Sequence, residues 1–360
     1  MEAMYRFEAP SISEKSIRVY DAECAPFCIS GLMPKKEDGR FARMPREVAE
    51  RVNEVTRALY CNTAGGRLRF ATDSPVIALS AVYGACEFTS PRTVAVSGLS
   101  AFCFDLYADG EHVRLMTPEQ LFQAERTVSF ELSSGRYESL ATFREKRMRE
   151  ITLYFPSFVN VEKVYIGLAE GAILTAAKPY RNELPVVFYG SSITHGACAS
   201  RPGNTYPAIL SRRFGFDYVN LGFAGGCRAE DAIIEYLCGL PMQMLFYDYD
   251  HNTPSLAYLE ETHLRGARRL RAAHPEIPMV LLSKPNRHAG REEAEARLRI
   301  IEESYRILKS EGAAPVHFVS GQDIFTSHDP EMMTVDNTHP TDFGFFCMAE
   351  ALSEILRLYF

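Results

Sequence analysis

A serine between glycines is the first feature of this 360-residue sequence that can do chemistry. Residues 190–196 (GSSITHG) follow a short apolar run, and a tight loop of this kind can present the Ser192 hydroxyl at the edge of a sheet. A neutral serine is a poor nucleophile and needs a base within hydrogen-bond reach. The segment is equally compatible with a serine that only caps the next helix, so the hydroxyl needs partners elsewhere in the chain.

A base with its own carboxylate lies near the C-terminus. Residues 335–340 read VDNTHP, which places Asp336 three residues before His339. At this spacing the carboxylate can fold back to accept the Nδ1–H bond of the imidazole, which fixes the tautomer and leaves Nε2 free as a base. The alternative is a helix N-cap loop with an incidental histidine.

Two further segments offer groups that can stabilise a negatively charged oxygen. Residues 220–226 (NLGFAGG) are rich in glycine, so their backbone N–H groups can approach a ligand closely. A flexible turn or a phosphate loop is the alternative there, although the GxGxxG spacing of a dinucleotide fold is absent. Residues 248–254 (DYDHNTP) form a polar cluster that can also make a turn or bind a metal. No matching ligand pair stands out elsewhere, so we predict no metal.

The elements that must position these segments follow from the pattern of apolar residues after residue 180. Short apolar runs alternate with helical stretches, which is typical of a parallel sheet covered on both faces. In such sheets, binding sites form at the carboxyl ends of the strands. The runs are 185–189, 218–220, 245–247, 279–282 and 316–319, and the helical stretches are about 204–214, 230–237, 255–273, 291–310 and 341–358.

The first half of the chain favours short strands with turns between them, which indicates a β-sandwich. Apolar residues there alternate with a period of two. One helix is predicted where Val48, Val52, Val55 and Leu59 share a face. We predict two domains, residues 1–180 and 181–360, with the boundary at the polar segment 178–183. The alternating sets are Leu68 and Phe70; Phe102, Phe104 and Leu106; Val128, Phe130 and Leu132; Ile151, Leu153 and Phe155; and Val164, Ile166 and Leu168.

Composition narrows the class of protein. A net charge of −7 argues against nucleic-acid binding, which needs clustered Lys and Arg. No run of 18 apolar residues predicts a membrane span, and the first residues do not resemble a signal peptide. The 9 cysteines form no CxxC pair, which favours buried thiols in a reducing compartment, and we expect a cytoplasmic protein. Trp is absent, so any aromatic contact with a ligand must use Tyr, Phe or His. The oligomeric state cannot be read from the sequence.

The four polar segments, in this order at four strand ends, resemble the SGNH (GDSL-type) hydrolase superfamily. The resemblance covers roughly residues 184–360. It implies that Ser192 is the nucleophile, His339 the base and Asp336 its orienting carboxylate. It also implies an oxyanion hole made by the backbone amides of Ser192 and Gly225 and the Asn252 side chain, with no cofactor.

The sequence departs from the family pattern at two positions. Ser191 stands where the family usually has Asp, and Asp250 stands where it usually has Gly. The Asp250-His251-Asn252 form is similar to a subgroup that carries an N-terminal β-domain with a Gly-x-Asp-Leu-Tyr motif. Residues 105–107 (DLY) keep that motif here, whereas Cys103 replaces the glycine.

The resemblance implies a three-layer α/β/α, flavodoxin-like hydrolase domain with a parallel sheet, preceded by a β-sandwich. We expect a serine esterase acting on a small-molecule or carbohydrate ester, first of all on short acyl (acetyl) esters of sugars. His195, Asp250 and His251 are candidates for contacts with substrate hydroxyls, although loop structure is the favoured interpretation of each.

Other functions remain open from the sequence. The chain can be an aryl, lipid or thioester acylhydrolase, although no long apolar lid is evident. It can also be a glycan-binding protein with an inactive hydrolase domain, which the intact Ser192, Asn252, Asp336 and His339 disfavour. A flavodoxin-like nucleotide binder is disfavoured because no phosphate loop is evident.

Overall fold

Strands and helices divide the chain into a part rich in antiparallel strands and a part in which strands and helices alternate. The computed structural model describes residues 5–35, 39–84, 96–117, 135–285, 291–313, 315–326 and 329–360. The strands are β1 (Ile17–Asp21), β2 (Cys28–Ser30), β3 (Arg67–Thr72), β4 (Val76–Gly84), β5 (Phe104–Ala108), β6 (Glu111–Met116), β7 (Gly135–Thr142), β8 (Arg149–Tyr154), β9 (Asn160–Ala169), β10 (Leu174–Thr175), β11 (Val186–Gly190), β12 (Tyr218–Gly222), β13 (Met244–Asp248), β14 (Met279–Leu282) and β15 (Val316–Val319).

Most helices lie in the second part of the chain. The helices are α1 (Pro10–Ser13), α2 (Arg46–Val52), α3 (Glu54–Leu59), α4 (Gly98–Phe102), α5 (Ser192–His195), α6 (Tyr206–Phe214), α7 (Asp231–Gly239), α8 (Leu256–Ala273), α9 (Arg291–Ser310), α10 (Gly321–Thr326) and α11 (Asp342–Leu356), with single 3₁₀ turns at Pro202–Asn204, Asp250–Asn252 and Pro330–Met332. Within the described ranges, no helix is long and apolar enough to cross a membrane.

The alternating apolar residues of the first half form two antiparallel sheets that pack face to face. Within the described residues, one sheet has the order β1-β9-β4-β7 and the other has the order β10-β3-β8-β5-β6, with β2 beside β3. Their inward side chains, among them Phe70, Leu79, Leu106, Leu153 and Ile166, share one buried core. This arrangement confirms the predicted antiparallel β-domain.

Three local predictions for the first half have different outcomes. Phe102 ends the short helix α4, so the predicted alternation begins at Phe104. The helix predicted from Val48 to Leu59 is interrupted at Asn53, whose extended backbone separates α2 from α3 and whose side chain accepts the Thr56 N–H bond at 2.8 Å. An Asn that caps a new helix in this way competes with continuation of the old one. The alternation at residues 128–132 lies outside the described residues.

The second half forms the predicted parallel sheet. Its strand order is β12-β11-β13-β14-β15, which is the flavodoxin-like order. The second strand is added on one side of the first strand, and all later strands are added on the other side. Strands β14 and β15 have the bounds read from the apolar runs, whereas β11, β12 and β13 each extend to the Gly or Asp that follows the run. The structure therefore confirms the α/β fold class.

Alternate residues of each parallel strand face two different helical layers. Val187, Tyr189 and Leu245 pack with α7, α8 and α9 on one face, while Phe188 and Phe246 pack with α6 and α11 on the other. Because both faces are covered, the strands are apolar throughout, as in other parallel sheets.

The sequence boundary at residue 180 does not separate two independent cores. Met44, Ala49 and Leu59, from α2, α3 and the segment before them, pack in the same buried cluster as Val187 and Leu245 of the parallel sheet. The division into 1–180 and 181–360 therefore stays a prediction, with residues around 44–60 physically part of the layer beside α7.

The close approach of β12 to α5 generates a test of the fold. A Cβ atom at Gly222 would lie 2.2 Å from His195 N and 2.6 Å from the Thr194 carbonyl carbon. Because both atoms are backbone, we expect Gly222→Ala to lower the free energy of unfolding by about 3 kcal/mol, the upper range for overpacking, measured by urea denaturation. The control is Gly239→Ala at the exposed end of α7, where a Cβ meets nothing within 4 Å. Equal effects of the two variants would contradict this account.

Candidate active site

Two adjacent serines at the start of α5 have different partners. Ser191 is the N-cap of α5, and its Oγ accepts the Ile193 N–H bond at 3.2 Å. Ser192 Oγ instead lies 2.8 Å from His339 Nε2, and this residue is only 9% exposed. The helix-capping role that was the alternative for this segment therefore falls to Ser191.

A tight loop before α11 holds His339 against its carboxylate. Asp336 Oδ1 accepts the backbone N–H bonds of Thr338 at 3.1 Å and His339 at 2.8 Å, while Oδ2 lies 2.8 Å from His339 Nδ1. Asn337 takes the left-handed conformation (φ 62°) that closes this loop, a conformation that Asn tolerates better than most residues. The three-residue spacing read from the sequence therefore brings the carboxylate and the imidazole together.

The environment of Asp336 favours its ionised form. Partial burial raises the pKa of this carboxyl. The backbone and side-chain hydrogen bonds from His339 and the backbone bond from Thr338 together lower the pKa by more, so the net shift is downward. An ionised carboxylate at Nδ1 favours the tautomer in which Nε2 faces Ser192 with its lone pair.

Three segments that follow the adjacent ends of β11, β12 and β13 contain groups with N–H donors that could bind an anionic oxygen. Ser192 occupies the first position of α5, where a backbone N–H has no partner within the helix. Gly225 is exposed in a left-handed conformation (φ 80°) with open space around it. Asn252 is half-buried, and its Oδ1 accepts the Cys227 N–H bond at 3.3 Å, which leaves the Nδ2 group as the free donor end.

His195 lies in the protein interior, which favours its interpretation as loop structure over a contact with substrate. Its ring is fully buried and stacks on Phe158, with the ring centroids 4.0 Å apart. Nε2 lies 2.8 Å from the Ser157 carbonyl oxygen, and Nδ1 accepts the Ala224 N–H bond at 3.4 Å. Both nitrogens are engaged within the protein, so the ring holds the loop around Ala224 instead of facing a substrate hydroxyl.

Asp250 is also buried, at 1% exposure, and it serves the interior of the loop. Its Oδ2 accepts the Lys284 N–H bond at 3.0 Å, and its backbone oxygen accepts a bond from Arg297 Nη1 at 2.6 Å. These contacts favour the interpretation of Asp250 as loop structure over a contact with substrate.

Of the three candidates, His251 is the one close enough to His339 for the two rings to interact electrostatically. Burial lowers the pKa of His251 well below the ordinary histidine value, and electrostatic interaction with the neighbouring Lys284, His339 and Arg297 lowers it further. The ring is therefore neutral at physiological pH. Its Nε2 is buried and has no hydrogen-bond partner among the described residues.

Sequence reasoning missed the residues that fix the start of α11. Asp342 accepts the Ser200 N–H bond at 2.8 Å and a bond from Asn204 Nδ2 at 2.7 Å. These contacts tie the loop after α5 to the helix that follows His339. An acidic residue in the first turn of a helix is a common signal, but nothing in the sequence identifies its partners 138 or 142 residues away.

Both parts of the chain match models of known families. Residues 183–357 match the GDSL-like lipase/acylhydrolase family, and residues 17–174 match the N-terminus of SGNH hydro-type esterases. A search of curated proteins finds no match to this chain.

Solved structures show the same fold over nearly the whole chain. One from Bacteroides ovatus ATCC 8483, described as a GDSL-like lipase, is 24% identical with a TM-score of 0.78 and covers 95% of this chain and 98% of its own. A salicylyl-acyltransferase from a tetracycline biosynthetic pathway is 20% identical with a TM-score of 0.73, at the same coverage. A family two carbohydrate esterase from Clostridium thermocellum is 13% identical with a TM-score of 0.61 and covers 92% of this chain and 98% of its own. Similarity at these identities concerns the fold.

The burial of Asp250 predicts a pH-dependent change in stability. Burial raises the pKa of this carboxyl to about 6, although the Lys284 N–H bond and the charges of Lys284 and Arg297 oppose the shift. The native state therefore holds the proton more tightly than the unfolded chain, whose pKa is about 3.9. This costs stability above about pH 6, and the cost disappears as the pH falls below about 4.

Asp250→Asn removes that charge and keeps an oxygen for the Lys284 N–H bond. We expect its free energy of unfolding to exceed that of the wild type by about 1–3 kcal/mol at pH 7.5. Urea denaturation at pH 7.5, 6 and 4.5 should show the difference shrinking towards acid. A difference that is constant with pH would contradict the charged state assigned to Asp250.

Proposed function

The chain belongs to the SGNH (GDSL-type) family of ester hydrolases, in the subgroup with an N-terminal β-domain, and on that premise we propose that Ser192, His339 and Asp336 form its catalytic triad. The observation that carries the proposal is the continuous chain of hydrogen bonds, 2.8 Å at each link, from Ser192 Oγ through His339 to Asp336. A nucleophile, a base and an orienting carboxylate in this geometry are the requirements of acyl transfer.

The proposed reaction proceeds through an acyl-enzyme. Ser192 Oγ attacks the ester carbonyl carbon while His339 Nε2 takes the hydroxyl proton, and the carbonyl electron pair moves onto the oxygen. The tetrahedral intermediate then collapses, the bond to the alcohol breaks, and His339 gives its proton to the departing oxygen. Water attacks the acyl-enzyme with His339 again as base, which releases the carboxylic acid and restores Ser192.

The oxyanion of each intermediate is bound by the amides of Ser192 and Gly225 and by Asn252 Nδ2. What supports Asn252 in this role is that the Cys227 N–H bond occupies its oxygen, so the NH₂ group is the end of the side chain that can donate. Preorganised donors of this kind contribute strongly to acyl transfer, since each one is worth about 10²–10³-fold in rate.

Short acyl esters of carbohydrates, first of all acetyl esters, are the proposed substrates. The support is the shared fold with a carbohydrate esterase that was solved with a bound cello-oligosaccharide. Because the chain has no Trp, recognition of a sugar would depend on hydrogen bonds and on Tyr or Phe.

An aryl or longer acyl ester is the second candidate, favoured by apolar side chains around the His339 loop. Met332 and Val335 are each 59% exposed, and Phe343 of α11 is 37% exposed. Val335 immediately precedes Asp336, and its N–H donates to the His339 carbonyl oxygen at 2.9 Å. Apolar groups beside the base suit an aromatic ring or an acyl chain better than a sugar hydroxyl.

Ser192→Ala tests the proposed chemistry, and Ser191→Ala is its matched control. We expect the first variant to lower kcat for an aryl acetate by at least about 10³-fold, because the nucleophile is lost, while its unfolding curve stays cooperative. The second loses the α5 cap and about 1 kcal/mol of stability but keeps kcat within about threefold. Full activity of Ser192→Ala would refute the triad.

A chain-length series separates the two substrate classes. We expect kcat/KM to fall at least about tenfold from acetyl to octanoyl esters of one alcohol, and acetylated xylo-oligosaccharides to release acetate with the wild type but not with Ser192→Ala. A rate that rises with acyl length would favour the second candidate instead.

A further inference from the structure

Side chains from the first 60 residues bind the backbone of residues 220–226, the segment proposed to carry an oxyanion donor, which we call the oxyanion loop. Arg43 Nη1 donates to the carbonyl oxygens of Asn220, at 3.2 Å, and Gly222, while Nη2 donates to the Leu59 carbonyl oxygen at 2.9 Å. One guanidinium thus joins the carboxyl end of β12 to the end of α3.

Arg43 is a buried cation without an acidic partner. It is 1% exposed, and its guanidinium lies over the Phe223 ring at 4.4 Å from the centroid. Within the described residues no carboxylate forms an ion pair with it, and burial lowers the pKa of Arg43 to about 9, so it is charged at neutral pH. Burying a charge without a counter-ion costs several kcal/mol, and here only carbonyl dipoles and an aromatic face offset that cost.

A second contact acts at the other end of the oxyanion loop. The Gly226 carbonyl oxygen accepts bonds from Asn53 Nδ2 at 2.8 Å and Thr56 Oγ1 at 3.3 Å. Because a trans peptide unit points its C=O and N–H in opposite directions, this fixes the Cys227 N–H on the other side. That N–H is the group that holds Asn252 Oδ1.

The same rule applies at Gly222. Its carbonyl points to Arg43, so the next N–H, that of Phe223, points away and donates to the Gly190 carbonyl oxygen at 3.0 Å. The turn that follows is closed by the Gly226 N–H bond to the Phe223 carbonyl oxygen at 2.8 Å, with Gly225 inside it. The direction of the Gly225 N–H therefore depends on a turn whose first residues Arg43 holds.

We propose that Arg43 is a positioning residue of the esterase site, which acts through the oxyanion loop, and that Asn53 and Thr56 complete this clamp. The inference rests on the proposed function and assigns a role in it to the N-terminal part of the chain, which supplies the clamp. The positive charge of Arg43 also favours the negative charge that develops on the carbonyl oxygen of the substrate.

Arg43→Met tests the clamp, because Met keeps much of the length of the side chain and removes the charge and all five donors. The matched control is Arg67→Met. Arg67 is also fully buried and reaches across to β12, but it binds Asp217 and the Tyr218 carbonyl oxygen at the amino end of that strand. Both variants should unfold at a lower urea concentration than the wild type.

We expect only Arg43→Met to lower kcat for an aryl acetate, by about 10- to 100-fold, with KM changed less than about threefold, since misplacing a reacting group by about 1 Å can cost 10²-fold. Affinity for a trifluoromethyl ketone, which forms an anionic tetrahedral adduct with the serine, should fall in the same proportion. Affinity for the matching methyl ketone, offered as a ground-state analogue, should not change. Arg43→Lys keeps the charge with fewer donors and should lie between the wild type and Arg43→Met.

Amide hydrogen exchange gives a readout that does not depend on turnover. The peptide covering residues 220–227 should exchange faster in Arg43→Met than in Arg67→Met. If Arg43→Met does not fold, the double variant Asn53→Ala/Thr56→Val replaces it as the test of the clamp. Its kcat, ketone affinity and amide exchange are then compared with those of the wild type.

Unchanged kcat, unchanged ketone affinity and unchanged exchange in the oxyanion loop would overturn the inference and reduce Arg43 to a structural residue like Arg67. Failure of the wild type to hydrolyse any ester would instead refute the proposed function, and the exchange comparison would still test the clamp.

Discussion

Three adjacent parallel strands end at the same level, and the site depends on this register. Gly190 at the end of β11 pairs with Gly222 on one side and with Asp248 on the other. The three loops that follow therefore start side by side, and they carry Ser192, Gly225 and Asn252. Parallel pairing forces this outcome, because strands that run in one direction present all their carboxyl ends at one edge.

Small residues and buried polar side chains keep that edge compact. At Gly190 an added Cβ would meet the Asp248 carbonyl oxygen at 2.6 Å, so the strand can only pass there as glycine. Asp248 is itself fully buried, and it accepts a bond from Thr194 Oγ1 at 3.1 Å. Burial, followed by the neighbouring Asp250 charge, raises the pKa of Asp248 well above its ordinary value. A polar group buried this deeply needs partners, and this bond ties α5 to the end of β13.

The N-terminal part of the chain is integral to the second half because it supplies both apolar and polar contacts there. Helices α2 and α3 pack in the core beside α7, Ser157 and Phe158 hold His195, and Arg43 binds the end of β12. Arg67 adds a second buried guanidinium, stacked on the Tyr218 ring at 3.9 Å. Residues from the first part of the sequence therefore contact both the segment that follows β11 and the end of β12.

The sequence by itself determined the class of fold and the order of the polar segments. The bounds of β14, β15 and α9 follow from local patterns of apolar residues, since a buried strand is marked by a short apolar run and a helix by a repeat along its own stretch of chain. The Asp336–His339 contact is also local, because three residues and one left-handed Asn suffice to fold the loop.

Only the tertiary structure decided which polar residues face the site and which support it from behind. Ser191 and Ser192 are adjacent, and local sequence alone allows a serine there to act only as a helix cap, but in the structure Ser191 caps α5 and Ser192 meets a histidine 147 residues away. His195 and Asp250 lie beside the predicted catalytic residues in the sequence yet turn into the protein, and Arg43 reaches Asn220 across 177 residues. The periodicity of a sequence segment predicts only the strand or helix that the segment itself forms. The burial and hydrogen bonds of a side chain depend on partners that folding brings from elsewhere in the chain.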